Sequence, residues 1–481
     1  MRLKDLLKDI KNITLKGSSN PVITGLSAHS KSLKPGELYI AFKGQSFDGR
    51  DFINEAVNSK AAGVITDIYN PLLDKKFVQI ITKDPKALGS SLALKFYSPL
   101  DYLLGVTGTN GKTTVSFCVQ SLFNALDIKC GLVGTCHLDN LNSIKQATLT
   151  TPDSITLARI ISEVKQNKGE ALITEVSSHA LDQKRVFGHK FQTVIFTNLT
   201  HDHLDYHKTM EAYAESKLKL FLDDYMPKNK GYAVINIDDP FSKVILEKTK
   251  REVFTYSLHD ERADFYLKDT LTHTRGIEGT LVFKSKHYKL ESSLVGLFNA
   301  SNLLAAIATA YSVCFNIDKI MQHTKAINGA PGRLEKVKDN IFIDYAHTPD
   351  GLESVLTSLK KLPFKKIRLL FGCGGDRDKQ KRPLMGKIAE SFADEIIVTS
   401  DNPRTENPES IIQDILEGMS KQKHSVFVDR KEAIKNALQD LSDDTLLLIA
   451  GKGHEKIQII GTTSVPFDEK DIINELLLER V

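Results

Sequence analysis

The sequence predicts three α/β domains in a row, and three observations carry that expectation. A chain of 481 residues exceeds what one hydrophobic core serves, at roughly 100 to 200 residues per domain. From about residue 99 short apolar runs alternate with helical patterns, and the alternation restarts beyond the Gly/Pro cluster "NGAPGRLEKV" at 328–337. Strands that are apolar throughout and separated by helices belong to mostly parallel, doubly wound sheets covered on both faces. The expected domains are 1–98, 99–331 and 332–481.

The first domain holds the β patterns "ELYIAF", "AGVIT" and "FVQIIT", broken by the turn signals "SLKPGE" and "SFDGRD"; it reads as a small α/β module. The second opens with "LLGVTGTNGKTTVSFCVQSLFNAL" (103–126), an apolar run that breaks into a Gly-rich loop and becomes helical, and continues with strands at "ALITEVSS", "TVIFTNL" and "GYAVINI". In the third, "NIFIDYA", "KIRLLFGCGG", "DEIIVTSD", "SVFVD" and "TLLLIAG" are each followed by a helical segment, which predicts a Rossmann-like unit. Ligands of open α/β sheets gather beyond the carboxyl ends of the strands, so the polar tails of these runs are where chemistry is expected.

Composition narrows the class. Hydrophobic residues make up 41% and charged residues 26%, with a mean hydropathy of -0.21, ordinary values for a globular protein. The net charge of +4 comes from 64 basic and 60 acidic side chains without the basic stripe of a nucleic-acid binder. Cys118, Cys130, Cys136, Cys314 and Cys373 are widely spaced with no CxxC pair, as expected of reduced thiols in a cytosol. The N-terminus "MRLKDLLKDIKNITLKG" lacks the apolar core of a signal peptide, and no run approaches a membrane span. A cytoplasmic protein with no nucleic-acid or membrane partner is expected.

The loop Gly108-Thr109-Asn110-Gly111-Lys112-Thr113-Thr114 follows a strand and opens a helix, the context a phosphate loop requires. Backbone N–H groups at the helix N-terminus hold phosphates, Lys112 neutralises their charge, and the Thr113 hydroxyl suits Mg²⁺. The glycine spacing is shorter than in an ordinary P-loop, with Val106 where the first glycine would stand. Glu175 arrives at the end of the strand in "ALITEVSSHALDQKR", and His203 soon after the strand in "TVIFTNLTHDHLDYH". A carboxylate and an imidazole beside a phosphate loop can complete a Mg²⁺ site. Taken alone, His201, His203 and His207 suit zinc or a plain surface equally well, and a phosphate loop alone fits a motor, a kinase, a switch or a ligase.

"TGTNGKTT", "EVSSHAL", "TNLTHDHLDYH", "GLFNASN", "APGRLE", "DYAHTPD", "GCGGDRD", "SDNPR" and "AGKGHE" stand in the order found in Mur ligases. Over about residues 24–460 the chain resembles that family, and within it the tripeptide-forming branch of peptidoglycan synthesis. The resemblance implies ATP as cosubstrate, two Mg²⁺ ions, and amide formation through an acyl phosphate. Lys112, Glu175, His203 and Lys217 match catalytic positions; Thr113, Glu175, His203 and a carbamylated Lys217 match metal ligands. Asn299 and Asn302 match the adenine region, and Arg333 and Asp344 match positions brought to ATP when the C-terminal domain closes; His347 lies in the same segment as Asp344.

By the same resemblance the first domain is a uridine-nucleotide module in which Ser30, Gln45, Ser46 and Phe47 contact the substrate, joined from the central domain by Thr150, Thr151, Ser177, Gln183 and Arg185. The chain departs from the family's usual Asp-Ser-Arg triplet at His29, Ser30 and Lys31. Arg377, Asp401, Asn402, Pro403, Arg404, Gly451 and Glu455 match the pocket for the incoming amino acid, implied to be meso-2,6-diaminopimelate. That substrate carries one carboxylate more than L-lysine, and Arg404 supplies a planar fork suited to it; Asp401 and Asn402 are expected to hold the adjacent ammonium. A monomer acting on small molecules is expected. The rivals are the same ligation with L-lysine, a folylpolyglutamate synthetase-like ligase, which leaves "FKGQSFDGRDFI" and "DNPR" unexplained, and a non-ligase P-loop protein.

Overall fold

The computed structural model describes residues 1–44, 47–314, 316–420 and 424–479. Gln45 and Ser46, expected to contact the uridine substrate, lie outside the described residues. Three main sheets follow one another along the chain. The first has five strands; Gly25–Ser27, Glu37–Ile40, Gly63–Thr66 and Val78–Ile81 run parallel, and Thr14–Lys16 closes one edge antiparallel.

The second sheet has eleven strands. At its centre Tyr102–Thr107 lies between Ala171–Glu175 and Thr193–Phe196, all parallel, so the ends of these three strands deliver the phosphate loop, Glu175 and the His203 loop side by side. Helices Lys112–Ala125 and Leu297–Cys314 cover one face with Val115, Val119, Leu303 and Ile307 fully buried. Helix Ser154–Gln166 covers the other with Leu157, Ile160 and Val164. Leu297–Cys314 is long and apolar enough to cross a membrane by composition, and its burial against this sheet accounts for that composition. Beyond the parallel core, Phe265–His273, Gly276–Phe283 and Lys286–Ser292 form an antiparallel edge that the sequence reading did not anticipate. Their burial pattern alternates instead of being continuous, because one face of this extension meets solvent.

The third sheet is ordered Ile341–Asp344, Thr445–Ala450, Lys366–Phe371, Glu395–Thr399, His424–Phe427, all parallel, with Glu335–Lys338 antiparallel at one edge. All five anticipated strands are present. The first four lead into helices; Thr445–Ala450 leads instead into the hairpin Ile457–Ile460 and Thr463–Pro466 before helix Glu469–Leu478. The order reverses between Thr445–Ala450 and Lys366–Phe371, the switch point where a crevice opens.

The two junctions differ. Ile155 and Ala158 of the central domain are buried in the same apolar cluster as Leu26, Ile40 and Leu92 of the first, and Arg159 pairs with Glu37 at 3.1 Å. Shared core makes that junction rigid. The C-terminal domain hangs on Ala330-Pro331-Gly332, where Gly332 has φ +62° and a Cβ would come within 2.1 Å of His454 N. Only glycine lets the linker pass that close.

Candidate functional site

The phosphate loop is set by two glycines. Gly108 has φ +153°, and a Cβ there would lie 1.8 Å from Thr197 Oγ1; Gly111 has φ +87°, with Asn302 Oδ1 2.7 Å from its would-be Cβ. Gly111 caps helix Lys112–Ala125, so the helix N-terminus faces the loop as an anion site. The loop is pinned from the neighbouring strand: Asn110 N donates to Asn198 Oδ1 at 2.8 Å and Thr197 Oγ1 donates to Asn110 O at 2.6 Å. Thr109 Oγ1 and Tyr213 Oη are 3.2 Å apart. Lys112 Nζ donates to the carbonyls of Gly108 and Thr109, and burial pushes its pKa down against the pull of Glu175.

Glu175 is fully buried and collects donors that converge from three directions. Thr113 Oγ1 donates to it at 3.0 Å, Thr135 N at 2.9 Å and Thr135 Oγ1 at 3.0 Å. Arg333 of the linker reaches Thr113 Oγ1 at 3.4 Å and stacks on the Tyr345 ring at 4.5 Å; its Nε is buried without a partner. A guanidinium so placed has a free donor beside the phosphate loop. The Thr113 hydroxyl and Glu175 carboxylate are hard oxygen donors that suit Mg²⁺. Among the described residues no three His, Cys, Asp or Glu side chains are grouped to hold a metal ion.

Lys217 comes from helix Met210–Leu218 and is 1% exposed. Its Nζ donates to Gly108 O at 2.8 Å and sits 4.4 Å from the Tyr213 ring centre. Burial first, and then Lys112, drive its pKa well below the ordinary lysine value. Lys219, by contrast, is at the surface with Asp182 at 3.4 Å. His203 has φ +55° and packs edge-on to His179 at 4.8 Å; burial lowers its pKa against the pull of Asp202.

Between the central and C-terminal domains lies a cavity of about 310 Å³, lined by Asn110, Thr114, Asn302, Arg333, Asp344 and His347 among others. Asn299 is 1% exposed and sits behind it, accepting from Asn302 Nδ2 at 2.9 Å and donating to Val295 O at 2.7 Å. Asp344 accepts from Leu334 N at 2.6 Å and Ala346 N at 2.7 Å; burial outweighs Arg333 and raises its pKa to about 6.

A groove of about 1050 Å³ runs between the first and central domains, bordered by Ser30, Phe47, Gln183 and Arg185, by His29 and Lys31 of the divergent triplet and, unforeseen from sequence, by Lys43 and Lys86. His29 is held by Asp153 at 3.2 Å, and Lys86 donates to Gln183 O at 2.9 Å. Thr150, Thr151 and Ser177 connect this groove to Glu175. Thr151 Oγ1 donates to Glu175 O and accepts from Ser177 N, its carbonyl accepts from Arg185, and Thr150 Oγ1 lies 3.1 Å from Thr135 Oγ1.

At the carboxyl ends of the third sheet, the loops 401–404 and 451–455 face each other. Gly451 has φ +114°, and a Cβ would meet Asp401 Oδ2 at 2.7 Å. Asn402 is 3% exposed: its Oδ1 accepts from Lys452 Nζ and Ile459 N, and its Nδ2 donates to Glu455 at 2.8 Å. Asn402 therefore staples the loops together, and Glu455 is also paired with Lys452 Nζ at 3.2 Å. Arg404 has φ +51° after Pro403 and donates through Nη1 to Gly375 O at 2.7 Å, while Arg377 is exposed with Nη1 on Asp376 O.

Residues 106–310 match the model of the Mur ligase middle domain, and 332–453 that of the Mur ligase, glutamate ligase domain. The chain is 42% identical over 483 residues to the UDP-N-acetylmuramoyl-L-alanyl-D-glutamate--2,6-diaminopimelate ligase of Aquifex aeolicus, covering 99% of this chain and 95% of that protein. The chain belongs to the Mur ligase family. A solved structure of a UDP-N-acetylmuramoyl-L-alanyl-D-glutamate--2,6-diaminopimelate ligase matches this Mur ligase over 100% of its length and 99% of the other chain, with a TM-score of 0.68 and 31% identity. A Mycobacterium tuberculosis folylpolyglutamate synthase, complexed with ADP and AMPPCP, shares the fold at TM-score 0.60 and 19% identity over 75% of this chain and 90% of its own.

Thr135 and His179 were missed in the sequence of this Mur ligase. Thr135 lies just past the strand Cys130–Val133, so the rule that ligands collect at strand ends would have found it. His179 sits in "EVSSHAL", but only the fold brings it against His203.

Proposed function

We propose that this Mur ligase adds meso-2,6-diaminopimelate to the D-glutamate of UDP-N-acetylmuramoyl-L-alanyl-D-glutamate, using ATP, in peptidoglycan biosynthesis. The observation that carries the choice of amino acid is Arg404, anchored through Nη1 on Gly375 O at the end of the loop that holds Asp401 and Asn402. The uridine nucleotide lies in the groove of Ser30, Phe47, Gln183 and Arg185, its peptide end towards Glu175 through Thr151. ATP enters the cavity of Asn302, Arg333 and Asp344, with its phosphates on the loop of Lys112 and Thr113.

The D-glutamate carboxylate attacks the γ-phosphorus and ADP leaves, giving an acyl phosphate. The amine of diaminopimelate then adds to the acyl carbon, and phosphate leaves as the amide forms and the amine loses a proton. Lys112 and Arg333 offset the negative charge that gathers when a carboxylate meets a triphosphate. Thr113 and Glu175 would hold one Mg²⁺, and His203 with a carbamylated Lys217 would hold a second; bound there, the ions would supply further charge neutralisation. Asp401, on the loop that Asn402 fixes, holds the ammonium next to the distal carboxylate, and Arg404 holds that carboxylate.

The relative from Aquifex aeolicus, 42% identical over 99% of this chain, favours this reading over a folylpolyglutamate synthetase-like one, whose likeness at 19% identity is one of fold. Small molecules are the only partners proposed, for a cytoplasmic monomer whose five cysteines are free. The test is ADP release with the dipeptide nucleotide while the amino acid is varied: release only with diaminopimelate supports the proposal, and ATP turnover indifferent to nucleotide and amino acid overturns it.

A further inference from the structure

The two loops of the amino-acid pocket spring from strands that are not neighbours. Glu395–Thr399 leads to Asp401 and Thr445–Ala450 leads to Gly451, with Lys366–Phe371 between them in the sheet. No backbone ladder fixes one loop against the other at their origins. Asn402 bridges the loops further out, and at the origins themselves Arg430 spans the gap: it donates through Nη1 to Ser400 O at 3.1 Å and through Nη2 to Ala450 O at 2.9 Å, the last carbonyls before the two loops. Its Nε donates to Glu469 Oε1 at 2.7 Å, and both side chains are 0% exposed. Arg430 and Glu469 are each the first residue of a helix, Arg430–Leu438 and Glu469–Leu478, so neither end of the pair can drift.

Stability does not account for this pair. A buried ion pair gains little over apolar packing unless every lone pair is satisfied, and Glu469 Oε2 is buried without a partner. What the pair does uniquely is span two loop origins with one rigid fork, a geometry a lysine cannot reproduce.

We infer that the Arg430–Glu469 pair is a positioning device that sets the separation of the 401–404 and 451–455 loops and so governs affinity for the incoming amino acid. The inference rests on the proposal that these loops form the amino-acid pocket. It concerns residues that touch no substrate: Arg430 lies beneath the loops, on the far side of the Ser400 and Ala450 carbonyls.

The test is steady-state kinetics of the full chain for each substrate in turn, in Arg430→Lys and in the double variant Arg430→Met/Glu469→Leu, which removes both buried charges so that the domain keeps its packing. The expected result is a KM for diaminopimelate raised about tenfold or more in both variants, with KM for ATP and for the dipeptide nucleotide within about twofold. A merely structural role would lower the active fraction and move kcat without selecting one KM. Arg404→Ala, measured alongside, separates the two possible failures. If it raises KM for diaminopimelate while the Arg430 variants do not, the positioning role is overturned and the pocket stands; if it leaves that KM unchanged, the pocket assignment itself has failed.

Discussion

Lys112 and Lys217 donate to the same oxygen, the Gly108 carbonyl, each at 2.8 Å. Two buried ammonium groups on one acceptor repel each other, and burial with that repulsion holds Lys217 well below the ordinary lysine range. A neutral amine is the form that adds CO₂, and the resulting carbamate turns a repelled cation into an anion beside the phosphate loop. Lys217→Ala is expected to cut kcat by roughly a thousandfold, the scale of losing one electrostatic stabiliser, with partial recovery on adding short carboxylic acids. Mass spectrometry of the native protein at raised bicarbonate reads the carbamate directly. Unchanged activity in the alanine variant would remove Lys217 from the site.

Arg333 links the domains, touching Thr113 at 3.4 Å while its own residue belongs to the linker. Arg333→Ala is expected to lower kcat about a hundredfold and leave binding of the uridine nucleotide within about twofold. The groove proposed for the nucleotide is built at the junction of the first two domains and is not lined by this residue. Equal turnover in mutant and wild type would exclude the arginine from catalysis.

Burial pushes the Asp344 carboxyl up to about 6, from the ordinary value of 3.8. Between those values the folded state binds more protons than the unfolded one, so this group's contribution to stability falls as pH rises through that window. Activity runs the other way. The ionised carboxylate accepts from both Leu334 N and Ala346 N, and protonation removes one acceptor and loosens the Arg333 loop. An acid limb near pH 6 is therefore expected in kcat at saturating substrates. A profile flat through the window would show that Asp344 does not control that loop.

Gly108→Ala is expected to abolish ATP-dependent ligation while the protein still folds, because a Cβ would stand 1.8 Å from Thr197 Oγ1 and displace the loop, not the core. Nucleotide binding followed by calorimetry checks it; wild-type affinity in the variant would mean the loop can be rebuilt around a side chain.

The parts of the structure legible in the sequence are those dictated locally. Gly108 and Gly111 mark a loop because their positive φ values exclude other residues, and the apolar run 445–450 reads as a strand because it is buried on both faces. The antiparallel edge 265–292 was not legible, since its half-exposed strands carry no continuous apolar run. Within the site, "DNPR" marks Asn402 in the sequence, but only the fold supplies the Lys452 and Ile459 donors on its oxygen. Arg430 gave no signal at all, since its partners lie 30, 20 and 39 residues away in sequence.

Selection of the third amino acid is tested most directly by competition: one ligation reaction with ATP, the dipeptide nucleotide, and equal meso-2,6-diaminopimelate and L-lysine, with the tripeptide nucleotides separated by mass. L-Lysine would leave the Arg404 guanidinium desolvated without its carboxylate, a penalty far larger than that of a missing methylene, so diaminopimelate is expected in excess by roughly a thousandfold or more. Arg404→Ala should collapse that ratio towards unity. Comparable incorporation of lysine by the unmodified protein, or an undiminished preference in Arg404→Ala, would contradict Arg404 as the selector.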